Sequence, residues 1–171
     1  MGMSEYLKGL RSKIGDDLLL VPVAAAIVRD AEGRVLLQRR RDNGRWGTPG
    51  GIIDPGEAPA ETLIREVREE TGLLVRPVSV LGVFGGEAAR FVYPNGHQVE
   101  ATIILFECEI VGGDLEARDG ESLELKYFVA EDIETLSGFG KASFRDLTTR
   151  PFQWEEQWLE RLKDRSEEVN S

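Results

Sequence analysis

The chain contains 171 residues, of which 41% are hydrophobic and 30% charged; this length predicts one domain, and this balance excludes a disordered chain. The net charge of −10 excludes binding of a nucleic-acid backbone through bulk charge, and the lack of an apolar run of about 18 residues excludes a membrane-spanning helix. The single cysteine, Cys108, rules out an internal disulfide and, with no signal-like apolar centre near the start, favours a cytoplasmic location.

The first half of the chain predicts a helix, two strands, a loop and a second helix. Residues 4–14 have apolar positions at helical spacing and must dock on their own domain or on a second subunit. Apolar runs predict strands over residues 21–29 and 34–40, joined by a turn. Residues 43–51 are rich in glycine and predict a loop, and a helix is expected over residues 59–71.

The second half predicts mainly strands. Apolar patterns indicate strands over residues 75–84, 99–111 and 123–129. The first two are joined by a segment whose Tyr93-Pro94-Asn95-Gly96 run is typical of a hairpin turn. A short helix is expected over residues 130–136, and an amphipathic helix over residues 152–163.

The helix over residues 59–71 has an unusual charge distribution. Glu66, Glu69 and Glu70 fall on one side near its C-terminal end, where like charges repel by about 0.2–0.5 kcal/mol per pair and the helix dipole favours cations. One interpretation is a solvated charged face, with Arg65 and Arg68 offsetting the repulsion. The other is a divalent-cation site, because Mg²⁺ prefers oxygen ligands. The apolar side, which must face a core, contains Ala60, Leu63, Ile64, Val67 and Thr71.

The residues around this helix decide between the two interpretations. Residues 51–73 resemble the Nudix box, which reads G, five residues, E, seven residues, R-E-U-x-E-E-x-G-U, with U an apolar aliphatic residue. All nine defined positions match, and they are Gly51, Glu57, Arg65, Glu66, Val67, Glu69, Glu70, Gly72 and Leu73. We therefore expect a Nudix domain over residues 20–136, with helical extensions over residues 1–19 and 137–171, the second packed on the same domain.

The resemblance implies a fold of the α/β class, an α/β/α sandwich around a mixed sheet. It also implies hydrolysis of a nucleoside diphosphate linked to another moiety, with Mg²⁺ or Mn²⁺ as cofactor. Carried onto this chain, Glu66 and Glu70 would be the main metal ligands, and Glu69 a ligand or the general base. The backbone carbonyl of Gly50 would complete the coordination.

The two other charged positions of the motif would act through their neighbours. The resemblance implies that Arg65 holds a box glutamate in place. Glu57 would act through a metal-bound water or by orienting Arg65. Hydrolysis of a diphosphate needs neutralised phosphate charge and a positioned water, and carboxylates with divalent cations supply both. His97 then need not be catalytic and is expected in a solvated loop.

Residues outside the motif are weaker candidates. An additional acidic residue from a loop could act as base or ligand, with Glu121 as the first choice and Glu124 as the second. An ordinary acidic turn is an equal alternative. The candidates for substrate contact are Arg39, Arg41, Trp46 and Tyr93, and each of them also has a structural interpretation: solvated charge, hydrophobic cover or a hairpin tip.

The substrate class stays open between two kinds of nucleotide. An ADP-ribose-like compound or a nucleotide sugar is the first expectation, and a nucleoside triphosphate, including oxidised dNTPs, is the alternative. A non-catalytic regulator that binds nucleotides is a further alternative, and a diphosphate isomerase would need a cysteine in a polar pocket. We expect a small-molecule nucleotide as partner, no nucleic acid, no membrane, and a possible homodimer through the first helix or the edge strands.

Overall fold

The computed structural model describes residues 4–93, 95–118, 120–133, 135–136 and 151–152. In chain order they form α1 (Glu5–Ile14), β1 (Leu19–Val28), β2 (Val35–Arg40), β3 (Trp46–Gly47), β4 (Gly50–Ile52), α2 (Pro59–Thr71), β5 (Leu73–Phe84), a 3₁₀ turn (Glu87–Ala89), β6 (Arg90–Val92), β7 (Gln98–Gly113), β8 (Ser122–Phe128) and α3 (Ala130–Ile133). Apart from Phe152, the helix predicted over residues 152–163 lies outside the described residues.

The larger sheet has β1 and β7 at its centre. Its strand order is β4-β1-β7-β5, and β6 also pairs with β7. The β1–β7 pair is parallel, whereas the other pairs are antiparallel, so the sheet is mixed as predicted. Residues from Ala24 to Val28 are buried without interruption, which is typical of a strand covered on both faces.

Helices cover both faces of this sheet. Even-numbered residues of β1 pack against Val67 of α2, whereas odd-numbered residues pack against Leu7 of α1 and Ile133 of α3. This layering confirms the predicted α/β/α architecture. None of the described helices is long and apolar enough to cross a membrane.

The structure contains a second, smaller sheet, which the sequence pattern did not distinguish from the first. Its strand order is β3-β2-β8, and its central strand contributes Leu36 to the cluster around α2 and Leu37 to the cluster around α3. The loop predicted over residues 43–51 contains β3 and part of β4, because their few residues pair with β2 and β1 despite their glycines.

The β2–β8 pair contains a bulge. Arg39 lies opposite Glu124, but Arg40 lies opposite Ser122, so Leu123 is an extra residue in β8. A bulge of this kind redirects the side chains that follow it. Without it, the face of the sheet that carries Arg40 would present Leu123 in place of Ser122.

Helix α1 docks on its own domain through Leu7 and through an unexpected residue, Arg11. Arg11 is only 7% exposed and donates hydrogen bonds to the carbonyl oxygens of Gly15 at 3.1 Å, Asp17 at 2.7 Å and Gln98 at 2.6 Å. Tyr6, another apolar residue of the helix, is 52% exposed. Association of two copies through this helix stays a prediction.

The turn predicted after Tyr93 is confirmed, and the structure also places the single cysteine. Between β6 and β7, the Gly96 N–H donates to the Tyr93 carbonyl oxygen at 2.9 Å, as a hairpin turn requires. Cys108 is buried on β7, and this burial raises the pKa of its thiol to about 12.

Replacement of Arg11 tests the docking of α1. Arg11→Met keeps the volume but leaves three partly buried carbonyl oxygens without this donor, so we expect a loss of about 2–3 kcal/mol in the free energy of unfolding, measured in urea. Lys13→Met on the exposed side of the same helix is the control. Equal stability of the two variants would contradict the proposed role of Arg11.

Candidate active site

Helix α2 is oriented by its apolar residues. It begins with Pro59 and ends before Gly72, whose φ of 76° is the left-handed conformation that glycine adopts readily at this position. Leu63 and Val67 are fully buried against the larger sheet. The side of α2 predicted to face a core was too wide, because it included Ile64, which is 37% exposed.

The three glutamates near the end of α2 do not share one environment. Glu66 is completely buried and Glu70 is 4% exposed, whereas the side chain of Glu69 is 49% exposed. A solvated charged face therefore does not describe Glu66 and Glu70. Glu69 therefore differs from the other two in exposure, although its charge still acts on Glu66 and raises the pKa of that carboxyl.

Glu66 packs against the backbone of β4. A Cβ atom added to Gly51 would collide with the Glu66 carboxylate, so the glycine leaves the space that this group occupies. The Arg65 Nη1 atom donates to Glu66 Oε1 at 2.8 Å, but Glu66 Oε2 is buried and accepts no hydrogen bond from the described residues. This oxygen is the most evident unsatisfied acceptor of the site.

Glu70 reaches the same short strand one helical turn later. Its Oε2 atom accepts a hydrogen bond from the Gly50 N–H at 2.8 Å. Gln38, on β2, also favours the charged form of this carboxylate and lowers its pKa. A Cβ atom at Gly50 would collide with the Ala24 backbone, so both glycines permit close packing here.

Burial changes the acidity of both carboxyls. Desolvation raises the pKa of Glu66 to about 7, against the opposing effect of Arg65, which favours the charged form. Desolvation also raises the pKa of Glu70 to about 7, against the opposing contacts from Gln38 and Gly50. A nearby cation would favour the charged form of each group.

Arg65 is fixed by a bidentate ion pair with Glu57. The Nε–Oε1 distance is 2.7 Å and the Nη2–Oε2 distance is 2.8 Å. Glu57 also accepts from the Thr62 hydroxyl at 2.7 Å. These contacts, led by Arg65, lower the pKa of Glu57 to about 2. Arg65 further lies 3.4 Å from a carboxylate oxygen of Glu69, so it contacts two of the three helix glutamates.

The donor set fits a divalent cation that retains water ligands. Within the described part of the chain, no group of three His, Cys, Asp or Glu side chains forms a ready-made cage. Glu66 and Glu70 nevertheless offer two hard oxygen donors beside one strand, and one of these oxygens has no hydrogen-bond donor among the described residues. Mg²⁺ commonly binds through one or two carboxylates and keeps several waters.

The two arginines predicted to contact substrate donate to loop carbonyls. Arg39 Nε lies 3.2 Å from the Gly44 carbonyl oxygen, and Arg41 Nε lies 2.6 Å from that of Gly120. Arg40 was not among the predicted contacts, but it is the arginine whose charge interacts with Glu70. Strand alternation could have identified it, because residues two apart on β2 share a face and Gln38 is on the face of Glu70.

The remaining predicted residues have different surroundings. Trp46 packs edge-on against Phe128 with a ring-centroid distance of 4.8 Å, and Tyr93 packs partly into the apolar cluster beneath α1. Glu124 lies opposite Arg39, on the face of the smaller sheet away from Glu70. The Glu121 carbonyl oxygen accepts from the Arg41 N–H at 2.8 Å, which places Glu121 beside the end of β2.

The close fit between β4 and Glu66 is testable. We expect Gly51→Ala to lower the free energy of unfolding by about 1–3 kcal/mol, because the new methyl group displaces a buried carboxylate. Gly47→Ala is the control, since a Cβ at Gly47 meets no atom within 4 Å in the described structure. Urea unfolding of both variants measures the difference, and an unchanged Gly51→Ala variant would contradict the described packing.

The Glu57–Arg65 pair predicts a pH-dependent stability. The pKa of Glu57 is lowered to about 2 on folding, so its contribution is complete above the unfolded-state pKa and is lost as pH falls. We expect Glu57→Gln to lower the free energy of unfolding by about 1–2 kcal/mol at pH 7, after allowance for solvent screening. This difference should decrease between about pH 5 and pH 2.

The matched control is the exposed ion pair of Glu116 and Arg118. Glu116→Gln should change the free energy of unfolding by less than about 0.5 kcal/mol at any of these pH values. A Glu57→Gln effect that does not vary with pH would show that charge plays no part in the loss.

Comparison with curated proteins identifies relatives. The ADP-ribose pyrophosphatase of Methanocaldococcus jannaschii is 31% identical over 118 residues, covering 67% of this chain and 66% of that protein. The putative 8-oxo-dGTP diphosphatase of Bacillus subtilis is 39% identical over 104 residues, covering 61% and 63%. This chain therefore spans slightly less than two thirds of the length of each of these two relatives.

Comparison with solved structures identifies proteins of similar fold. The crystal structure of the MutT protein from Methanosarcina mazei has a TM-score of 0.60 and 28% identity, and the match covers 77% of this chain and 92% of that one.

A family model described as the NUDIX domain matches residues 19–147. Together with the complete motif, these matches show that the chain belongs to the Nudix hydrolases, a family of pyrophosphohydrolases.

Proposed function

We propose that this protein uses Mg²⁺ or Mn²⁺ to cleave the diphosphate bond of a nucleoside diphosphate linked to another moiety, such as ADP-ribose or a nucleotide sugar. Water attacks phosphorus, and the products are a nucleoside monophosphate and a phosphorylated partner. The substrate is a small nucleotide.

The pair of buried carboxylates on α2 carries this proposal. Glu66 and Glu70 point at one short strand, and the unpaired oxygen of Glu66 has no described donor to offset its desolvation. In our proposal these two residues are the main cation ligands, and Glu69 and the Gly50 carbonyl are further ligands. When bound, the cation neutralises phosphate charge and lowers the pKa of a water molecule.

The Glu57–Arg65 pair has a positioning role in this proposal. Arg65 holds Glu66 by a 2.8 Å hydrogen bond, and Glu57 holds Arg65 through two hydrogen bonds. A charged, bidentate pair restricts the guanidinium to one orientation. Glu66 is thereby kept in the space beside β4 that Gly51 leaves open.

Glu69 and Glu121 are the proposed proton acceptors. Glu69 is exposed, so water can reach its carboxylate, and one of its oxygens lies 3.4 Å from Arg65 Nη1. Glu121 lies where β8 begins, beside the end of β2 that carries Arg40. Either carboxylate can accept a proton from the attacking water if it lies within hydrogen-bond reach.

Arg40 is the proposed phosphate contact. Its charge interacts with Tyr93 and Glu70, so it lies on the side of the proposed cation ligands. Its guanidinium is paired with Asp42, in the loop that follows β2, at 2.8 Å. Arg39, Arg41, Trp46 and Tyr93 stay weaker proposals for substrate contact, because the described contacts of each are structural.

The names of the relatives support two substrate classes. The M. jannaschii relative is an ADP-ribose pyrophosphatase, which favours an ADP-ribose-like substrate. The B. subtilis relative is a putative 8-oxo-dGTP diphosphatase, which favours the second candidate, a nucleoside triphosphate pyrophosphohydrolase that includes oxidised dNTPs among its substrates. A non-catalytic regulator is the least supported alternative, because the chain keeps Glu66, Glu69 and Glu70.

A nucleotide panel distinguishes these candidates. ADP-ribose, a UDP-sugar, ATP and 8-oxo-dGTP are incubated with the protein, with and without MgCl₂ or MnCl₂, and the products are separated by chromatography. We expect cation-dependent release of AMP from ADP-ribose. Release of pyrophosphate from 8-oxo-dGTP would favour the second candidate, and no product from any nucleotide with either cation would contradict both.

Glu70→Gln tests the cation site by a separate measurement. The amide preserves the shape but removes a buried charge, so we expect at least about 100-fold lower turnover and a melting temperature, without divalent cations, no lower than that of the wild type. A concentration of Mn²⁺ about 100 times its Kd should stabilise the wild type by about 2.7 kcal/mol and the variant far less.

Glu131→Gln, on the exposed side of α3, is the matched control for loss of one carboxylate. It should keep the turnover and the Mn²⁺ stabilisation of the wild type. Equal stabilisation of wild type and Glu70→Gln by Mn²⁺ would contradict the assignment of Glu70 as a cation ligand.

A further inference from the structure

The guanidinium of Arg40 is held by a carboxylate of the same chain. Arg40 Nε donates to Asp42 Oδ1 at 3.1 Å, and Arg40 Nη2 donates to Asp42 Oδ2 at 2.8 Å. An arginine binds a phosphate group through the same two-pronged contact, because carboxylate and phosphate oxygens both fit its fork of donors. Asp42 therefore occupies donors that the proposed function gives to a substrate phosphate.

We propose that Asp42 competes with substrate phosphate for the donors of Arg40, and that it thereby sets how strongly this part of the site binds a phosphate group. This inference rests on the proposed function, in which Arg40 contacts phosphate. The motif of residues 51–73 includes neither residue.

The position of Arg40 follows from its strand. Leu36, on β2, packs in the same apolar cluster as Leu63 and Val67 of α2. Because alternate residues of a strand share a face, Arg40 lies on the side of β2 that faces α2. It is thus on the same side of the smaller sheet as the helix that carries the proposed cation ligands.

A hydrogen bond from β8 supports this placement. Ser122 lies opposite Arg40, and its hydroxyl donates to Gln38 Oε1 at 2.7 Å. Residues opposite each other in an antiparallel pair share a face, so Gln38, Arg40 and Ser122 lie on one side. Gln38 and Ser122 are buried, whereas the side chain of Arg40 is 40% exposed. Arg40 is therefore the residue of this row that a ligand from solvent can reach.

The turn after β2 holds Asp42 beside Arg40. The Arg40 N–H donates to the Arg45 carbonyl oxygen at 2.9 Å, and the Gly44 N–H donates to the Arg40 carbonyl oxygen at 2.9 Å. Gly44 has a φ of 69°, a left-handed conformation that favours glycine. These contacts close the turn around Asp42, so its carboxylate reaches Arg40 with little further loss of backbone freedom.

The ion pair is weak enough for a ligand to replace it. The side chains of Arg40 and Asp42 are 40% and 31% exposed, and pairs with such exposure change an equilibrium constant by no more than about fivefold. Arg40 lowers the pKa of Asp42, so the carboxylate stays charged at neutral pH. A diphosphate carries more negative charge than one carboxylate and can therefore displace Asp42.

Other roles of Asp42 predict a different response to its substitution. If Asp42 only stabilises the turn, loss of its charge leaves phosphate affinity unchanged. If it holds Arg40 in the orientation that binds phosphate, the same change weakens binding. Competition alone predicts tighter binding. Calorimetry of the full chain with inorganic pyrophosphate, at 0.15 M salt without divalent cations, separates these roles because it requires neither turnover nor a bound cation.

Asp42→Asn keeps the shape of the side chain but removes its charge. We expect the Kd for pyrophosphate to fall about 3- to 5-fold, because Arg40 is released from an exposed ion pair. Arg40→Met should raise the Kd. In the Arg40→Met background, Asp42→Asn should change the Kd by less than about twofold, since Asp42 acts through Arg40.

Asp30→Asn is the matched control. Asp30 pairs with Arg34 at 2.6 Å in the turn before β2, so its substitution removes the same charge from another aspartate–arginine pair. It should keep the wild-type Kd for pyrophosphate.

The outcomes separate this inference from the proposed function. An Asp42→Asn variant that melts like the wild type but binds pyrophosphate no more tightly overturns the competition. Equal tightening in the Arg40→Met background also overturns it, because the effect then comes from overall charge. Pyrophosphate that binds neither the wild type nor Asp42→Asn overturns the phosphate contact of Arg40 and the competition together. Cation-dependent turnover in the nucleotide panel would still support the proposed function in each case.

Discussion

Two carboxylates are buried at the C-terminal end of one helix, and the surrounding structure is arranged to hold them there. Leu63 and Val67 fix the rotation of α2 against the larger sheet, and this rotation directs Glu66 and Glu70 toward β4. An uncompensated buried carboxylate is unfavourable by several kcal/mol, so its neighbours must supply charge, hydrogen bonds or space. Arg65 supplies the charge, and Gly51 leaves the space.

Much of the fold and the centre of the site follow from local patterns in the sequence. The alternation of apolar residues identified β1, β2, β5, β7 and β8, because strands covered on one or both faces must be apolar at regular positions. The motif of residues 51–73 identified Glu57, Arg65, Glu66 and Glu70 together. Charge repulsion on α2 was an independent physical sign that this helix serves a purpose other than stability.

The features that were missed depend on tertiary contacts. Arg11 is buried because three backbone carbonyls from separate segments meet at its guanidinium, and helical spacing cannot reveal them. The smaller sheet depends on pairing between β2 and β8, which are far apart in the chain. The position of Arg40 also depends on a tertiary feature, because the structure buries Gln38 and strand alternation then places Arg40 on the same face.

The parallel pairing of β1 with β7 has a consequence for the order in which the molecule folds. Leu19 aligns with Val99, and most of the chain that builds the site lies between these two residues. Closing so long a loop has a large entropic penalty and slows folding, whereas α2 and its flanking turns are local. The backbone at Gly50 lies so close to the Ala24 backbone that a Cβ atom at position 50 would collide with it, and this contact forms only when β1 and β4 pair. We therefore expect the burial of Glu66 and Glu70 to require this long-range pairing in addition to the formation of α2.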